Sequence, residues 1–261
     1  MTAMHVGLVY DLRDDYLAEG YSTLDVAEFD APETIAELEA ALRRLGHRVT
    51  RVGHGRSLAA RLVTGERFDL VFSIAEGLKG RSREAQVPAM CELFAQPYGF
   101  SDPLTMAATL DKAVAKRIVR DQGIATADFA LISAPQEARD VDLPFPLFVK
   151  PVAEGTGKGC ANASRVGDHA GLETIAGRLI AEFAQPAIAE VYLPGREFTV
   201  GIIGTGKAAR VIGVAEITIR AGVADPVYSF ENKEACEDNV VYRLADDVEA
   251  GRAADTALAA Y

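Results

Sequence analysis

The chain lacks any run of about eighteen apolar residues, so nothing in it reads as a membrane-spanning helix. Its N-terminus, MTAMHVGLVYDLRDD, has neither the basic leader nor the cleavage site of a secretory signal, and the expected location is the cytoplasm. Cysteine is scarce. Cys91, Cys160 and Cys236 are odd in number, far apart and without C-x-x-C spacing, which supports neither a disulfide framework nor a zinc site. His5, His47, His54 and His169 show no metal-ligand spacing either. Positive charge is also short: 27 Lys and Arg against 38 Asp and Glu leave a net charge of −11, which argues against a nucleic-acid or membrane surface. Any phosphate bound here must be held by local positive charge.

What is present is ordinary for a globular protein, with 49% apolar and 25% charged residues in a chain of 261. That length allows one large α/β unit or about two to three smaller domains. Strand and helix signals alternate from the start, the pattern of an α/β sheet. MHVGLVY (4–10) reads as a strand. Asp30, Pro32 and Glu33 read as a helix start with a cap, a first-turn proline and a first-turn acid. Ile35, Leu38, Leu42 and Leu45 follow at helical spacing, and Gly46 closes the helix. HRVTRVG (47–53) and DLVFSIA (69–75) are predicted strands, and a helix is predicted from about Arg83 to Phe94. Residues 1–102 thus predict a small Rossmann-like domain.

Beyond Pro103 the grammar changes. A helix is predicted from Asp111 to about Gln122, with Lys112 and Lys116 one turn apart, then a strand at 128–132. The stretch FPLFVKPVAEGTGKG (145–159) follows, an apolar strand that ends on Lys150 and runs into glycines. Gly155, Gly157 and Gly159 let backbone N–H groups approach an anion, and Thr156 and Lys158 add a hydroxyl and a second positive charge. A P-loop fails here, because Gly157-Lys158 is followed by Gly159 and Val152 stands where the first glycine belongs. A dinucleotide fingerprint fails too, since the spacing is G-x-G-x-G and the chain leads into CANASRV, which reads as a returning strand. The loop therefore joins two strands, as a phosphate-covering flap or as a plain glycine-rich turn.

A helix through Leu172 to Phe183 precedes PAIAEVYLPGREFTVGIIGTG (186–206), read as strand, Pro-Gly turn and strand. Phe198, Val200 and Ile202 share one face of the second strand, so Glu197 and Thr199 point to the other, where a carboxylate can face a cleft. Lys112, Glu190 and Glu197 each fit an exposed charge as well as a site. Lys150 does not, because a lysine closing an apolar strand is costly unless something anionic meets it.

The order of Asp111-Lys112, FVKP, Glu154 to Gly159, AEVYLPG (189–195), REFTV (196–200) and FENK (230–233) resembles the ATP-grasp ligases, most of all the D-alanine:D-alanine ligase branch. The resemblance implies a Rossmann-like domain at 1–102, an ATP-grasp central part with the flap at 103–186 and an incomplete C-terminal α+β part at 187–261. It implies that Lys112 and Lys150 hold the α and β phosphates of ATP. Glu154, Gly155, Thr156, Gly157 and Gly159 are the flap over the β and γ phosphates. Glu190, Val191 and Leu193 belong to the hinge that reads adenine, Glu197 bonds the ribose, and Lys233 reaches the γ-phosphate, with Lys233 and Thr156 nearest the chemistry. The implied reaction is amide formation through an acylphosphate.

Departures narrow the expectation. These ligases hold Mg²⁺ with an Asp and an E-x-N pair that do not occur before Tyr261, so the chain is expected to be a fragment with its metal ligands beyond residue 261. Glu234 stands where the branch often has Tyr, and the segment YDLRDDYLAEGYSTLDVAEFD is expected to be a long acidic loop. Glu33 is the candidate for ordering the first amino acid. D-alanine is the expected substrate, other amino acids or peptides are alternatives, and a nucleotide-binding regulatory protein is the reading from another class. Amino acids and ATP are the expected partners, with no nucleic acid or membrane; the branch suggests a homodimer.

Overall fold

The computed structural model describes residues 2–223 and 227–261. It divides into two compact units, Met1–Asp111 and Lys112–Tyr261. No helix among the described residues is long and apolar enough to cross a membrane.

The first unit contains β1 (His5–Val9), α1 (Arg13–Ala18), α2 (Pro32–Arg44), β2 (Arg48–Gly53), α3 (Gly55–Val63), β3 (Leu70–Ser73), α4 (Gln86–Leu93) and α5 (Pro103–Leu110). Its sheet is parallel in the order β2-β1-β3. The central strand β1 is apolar on both faces because both are covered. Leu8 packs with Ile35, Leu38 and Leu42 of α2, while Val9 packs with Leu58 and Leu62 of α3 and Val87 and Cys91 of α4. Helices on both faces of a parallel sheet make this the Rossmann-like domain that the alternation predicts. Gly7 is required where it stands, since a Cβ there would lie 2.9 Å from the Phe68 ring.

Two readings change here. The acidic stretch after β1 is not all loop: α1 forms within it, and Tyr16 packs against Val26 and Phe29 as a small core of its own. Asp30 does not cap α2. The N-cap is Ala31, because the Asp30 backbone is tied to the segment after β1, donating to the Asp11 carbonyl and accepting from Arg13 N–H, both at 3.1 Å.

The second unit runs α6 (Lys112–Asp121), β4 (Phe129–Ile132), β5 (Leu147–Pro151), β6 (Arg165–Val166), α7 (His169–Phe183), β7 (Ala187–Val191), β8 (Glu197–Ile203), β9 (Arg210–Ile219), α8 (Phe230–Glu234), α9 (Cys236–Asn239), β10 (Val240–Leu244) and α10 (Val248–Ala260). Two antiparallel sheets result, β4-β7-β5-β6 and β10-β9-β8. One face of the first sheet buries Ile132, Leu147, Val149, Ala187 and Ala189 against Leu172, Ala176 and Leu179 of α7. Each Å² of apolar surface buried there stabilises the unit by about 25 cal/mol.

The two strands expected over 186–206 form on either side of Pro194-Gly195, as β7 and β8, but they do not pair with each other. β7 is hydrogen-bonded to β4 on one side and β5 on the other, so neither edge is open to β8, which pairs with β9 in the other sheet. The return after the glycine loop is also shorter than predicted. Asn162–Ser164 is a single 3₁₀ turn, and only Arg165 and Val166 pair with β5.

Candidate functional site

Strand alternation decides which side chains of the second unit can meet. In β5, Leu147, Val149 and Pro151 are buried on the α7 side, so Phe148 and Lys150 point to the opposite face. The register with β7 sets Phe148 opposite Glu190 and Lys150 opposite Ile188, which brings Lys150 and Glu190 to that same face on neighbouring strands. Lys150 Nζ lies 2.5 Å from Glu190 Oε2. Lys116 Nζ, from α6, lies 2.9 Å from Glu190 Oε1. Burial is the largest influence on the Glu190 carboxyl and pushes its pKa up, but Lys150 and Lys116 together outweigh it and hold the group below its usual value. The anion that a strand-ending lysine requires is therefore supplied inside the protein.

The glycine loop between β5 and β6 is pinned at several points. Left-handed backbone falls on Thr156 (φ 51°), Gly157 (82°) and Gly159 (74°). A Cβ on Gly159 would meet the Pro151 ring at 2.8 Å and Phe183 at 2.9 Å, so the chain passes there only without a side chain. Lys158, expected as a second positive charge for an anion, is buried and paired with Glu154 Oε2 at 2.7 Å. Glu154 Oε1 accepts from Gln185 Nε2 at 2.6 Å. Lys112 enters from the start of α6, donating its backbone N–H to the Val152 carbonyl at 3.0 Å and its ammonium to the Glu154 carbonyl at 2.5 Å. Thr156 stands exposed at the tip.

The remaining candidates gather around Cys160. Burial raises the pKa of its thiol, and Lys150, Lys112 and Lys233 act against that rise in that order, with Glu190 adding to it. One sulfur thus senses three of the five lysines in this region, Lys116 and Lys158 being the other two. Glu197 opens β8; burial raises its carboxyl, while Lys233 and then Lys150 pull it down. Lys233 sits on the short α8, capped by Ser229, with its ammonium 4.5 Å from the centre of the Tyr228 ring. The Tyr228 hydroxyl in turn lies 2.7 Å from that of Tyr242. Asn232 of the same motif is buried and structural, donating to the Val227 carbonyl and accepting from Asn239.

In the segment after Glu190, Val191 N–H donates to the Asp128 carbonyl and Tyr192 N–H to the Pro146 carbonyl, while Leu193 is 67% exposed. Glu33 belongs to the first unit, exposed on the first turn of α2. That unit has its own cavity of about 270 Å³, whose lining includes Ile74, Glu76, Glu84, Phe100 and Met106. Burial, then Glu84 and Glu28, push the Glu76 carboxyl up to about 8 against the pull of Arg83. Lys116, Gln185 and Tyr228 join the site through tertiary contacts alone; the one-turn spacing of Lys116 from Lys112 is a sequence signal, and Gln185 and Tyr228 carry none. Among the described residues no group of three His, Cys, Asp or Glu could hold a metal ion.

A parallel α/β unit followed by two antiparallel sheets with a glycine loop is the architecture of the ATP-grasp proteins. The crystal structure of D-alanine--D-alanine ligase from Bacillus anthracis complexed with ATP matches with a TM-score of 0.68 at 21% identity, over 99% of this chain and 77% of that one. The family described as D-ala D-ala ligase C-terminus matches residues 118–261, and the chain belongs to it. It is 33% identical over 204 residues to the uncharacterised protein y4sG of Sinorhizobium fredii, covering 74% of this chain and 58% of that protein. It is 32% identical over 210 residues to D-alanine--D-alanine ligase of Bordetella petrii, covering 79% of this chain and 61% of that enzyme. The chain matches about three-fifths of the length of these relatives.

Proposed function

We propose that this chain carries the nucleotide-binding part of an ATP-dependent carboxylate–amine ligase, with D-alanine as both substrates. The observation that carries the reading is the convergence of Lys112, Lys150 and Lys233 around Cys160, beside Glu190 and Glu197 and next to the pinned glycine loop. In a chain of net charge −11, a local excess of ammonium groups favours a polyphosphate. Lys112 and Lys150 hold the α and β phosphates, and Lys233 reaches the γ-phosphate. Glu154, Gly155, Thr156, Gly157 and Gly159 cover the β and γ phosphates. Glu190, Val191 and Leu193 line the adenine, and Glu197 accepts from the ribose hydroxyls.

One amino acid's carboxylate attacks the γ-phosphorus and ADP leaves; the second amino acid's amine then attacks the acyl carbon and phosphate leaves. The lysines neutralise charge that moves onto the bridging oxygen, and the loop excludes water. In the same proposal Glu33 bonds the ammonium of the first amino acid, the chain works in parts at 1–102, 103–186 and 187–261, and the protein acts as a homodimer in the cytoplasm. Magnesium accompanies ATP in such reactions and would neutralise phosphate charge; among the described residues no group of three His, Cys, Asp or Glu could hold it.

The test is ADP release from MgATP by the protein as its source makes it, with D-alanine set against a panel of amino acids and dipeptides. Release driven by D-alanine supports the proposal. Release with another amino acid moves the substrate and keeps the class, whereas ATP binding without release under any condition would turn the reading to a regulatory nucleotide-binding protein.

A further inference from the structure

Glu190 accepts from two ammonium groups through different oxygens, Lys150 at Oε2 and Lys116 at Oε1. A lysine paired with one glutamate is neutral, and a phosphate approaching it meets a cation already balanced. The third member changes the sum, because two lysines and one glutamate carry a charge of +1. That surplus is not presented evenly. Lys116 is held back by Thr126 Oγ1 at 2.7 Å and by the Phe129 ring, 5.4 Å from its centre. Its side chain is 13% exposed, as is that of Glu190, whereas Lys150 is 24% exposed.

We infer that Lys116 is a positioning residue for anion binding that acts through Glu190: it balances the Glu190 carboxylate so that the charge of Lys150 is left for a phosphate. The inference rests on the nucleotide reading above and assigns Lys116 no contact with the nucleotide. Phe129 lies opposite Glu190 in the β4–β7 register, so the ring that backs Lys116 and the carboxylate that it meets are cross-strand neighbours. Lys116, Glu190 and Lys150 are set by three different elements, α6, β7 and β5, and act as one charged group.

The experiment is titration of the full chain with ADP and, separately, with inorganic tripolyphosphate, which has no adenine to confuse the role of Glu190. Lys116→Met should weaken both ligands by roughly tenfold or more, the effect of losing one nearby charge in a partly buried site. Lys116→Arg keeps the charge and should stay within about threefold of wild type. The double variant Lys116→Met/Glu190→Gln restores the sum to +1 and should bind tripolyphosphate within about threefold of wild type. A merely structural role for Lys116 would give no such recovery. Unchanged affinity in Lys116→Met, or a double variant that binds tripolyphosphate tenfold or more weakly than wild type, overturns the inference while the nucleotide reading stands. Should Lys116→Met alone not fold, the double variant still decides, because neither member of the pair is left without its partner. Wild-type protein that binds no ADP would remove the nucleotide reading itself.

Discussion

Replacing Glu190 by Gln should harm the fold more than removing either lysine that it holds. The carboxylate is shared by Lys150 at 2.5 Å and Lys116 at 2.9 Å. With a neutral amide there, two ammonium groups that shared one carboxylate face each other unbalanced, and at an effective dielectric near 20 two unit charges roughly 5 Å apart repel by about 3 kcal/mol. Lost attraction adds to this, within the roughly 3–5 kcal/mol that follows from breaking a buried pair. Lys150→Met leaves Glu190 paired with Lys116 and should cost about 1–2 kcal/mol. Urea unfolding at neutral pH and low salt compares the two through their midpoints. Added phosphate should recover more stability in Glu190→Gln than in wild type, since it replaces the missing negative charge. The pH dependence has a definite sign: the folded carboxyl lies below its usual 4.5, so its contribution is present above that value and is lost as pH falls through the lower folded value. The gap between wild type and Glu190→Gln should therefore hold from neutral pH to about 5 and close only in stronger acid. A Glu190→Gln protein as stable as Lys150→Met would refute the argument.

Other outcomes follow from the same reasoning. Gly159→Ala forces a side chain into a backbone at φ 74° and against Pro151, and should cost about 2 kcal/mol or more with faster proteolysis in the loop; an unchanged melting temperature would count against the pinned loop. Arg196→Ala releases Glu216 and Asp247, whose carboxyls the guanidinium and neighbouring donors hold at about 2, and also Glu249. Its loss of thermal stability should be present at neutral pH, shrink as pH falls from about 4 toward 2, and diminish in high salt. Glu76 behaves in the opposite sense. Its folded pKa of about 8 lies above 4.5, so the native state loses stability as pH rises between those values, and Glu76→Gln should raise the melting temperature at pH 8 relative to wild type with little change at pH 5.

Much of the architecture can be derived from local pattern. The apolar repeat of α2, the strand of Leu147 to Pro151 and the glycines after it are each specified within a few residues, and alternation already separates Lys150 from Leu147 and Val149. The ordered motifs from Lys112 to Lys233 suffice to place the chain among the ATP-grasp ligases. Where a local signal competed with long-range pairing it misled: Asp30 has the chemistry of a cap, but its backbone is claimed by the segment after β1. The two strands around Pro194-Gly195 were legible, whereas their partners were not: β7 is paired on both sides within one sheet, and β8 pairs with β9 in the other.

The sequence alone determines which residues are available as cations and carboxylates, and that those on β5 and β8 point away from the apolar faces, because side-chain direction follows from a two-residue repeat. Only the tertiary structure decides which charge meets which. Lys150 finds Glu190 because β5 and β7 are neighbours in one register, Lys116 joins them because α6 carries it to that face, and Lys158 is taken by Glu154 rather than left for a ligand. These pairings depend on strand order and on burial, and neither is written in the spacing of residues along the chain.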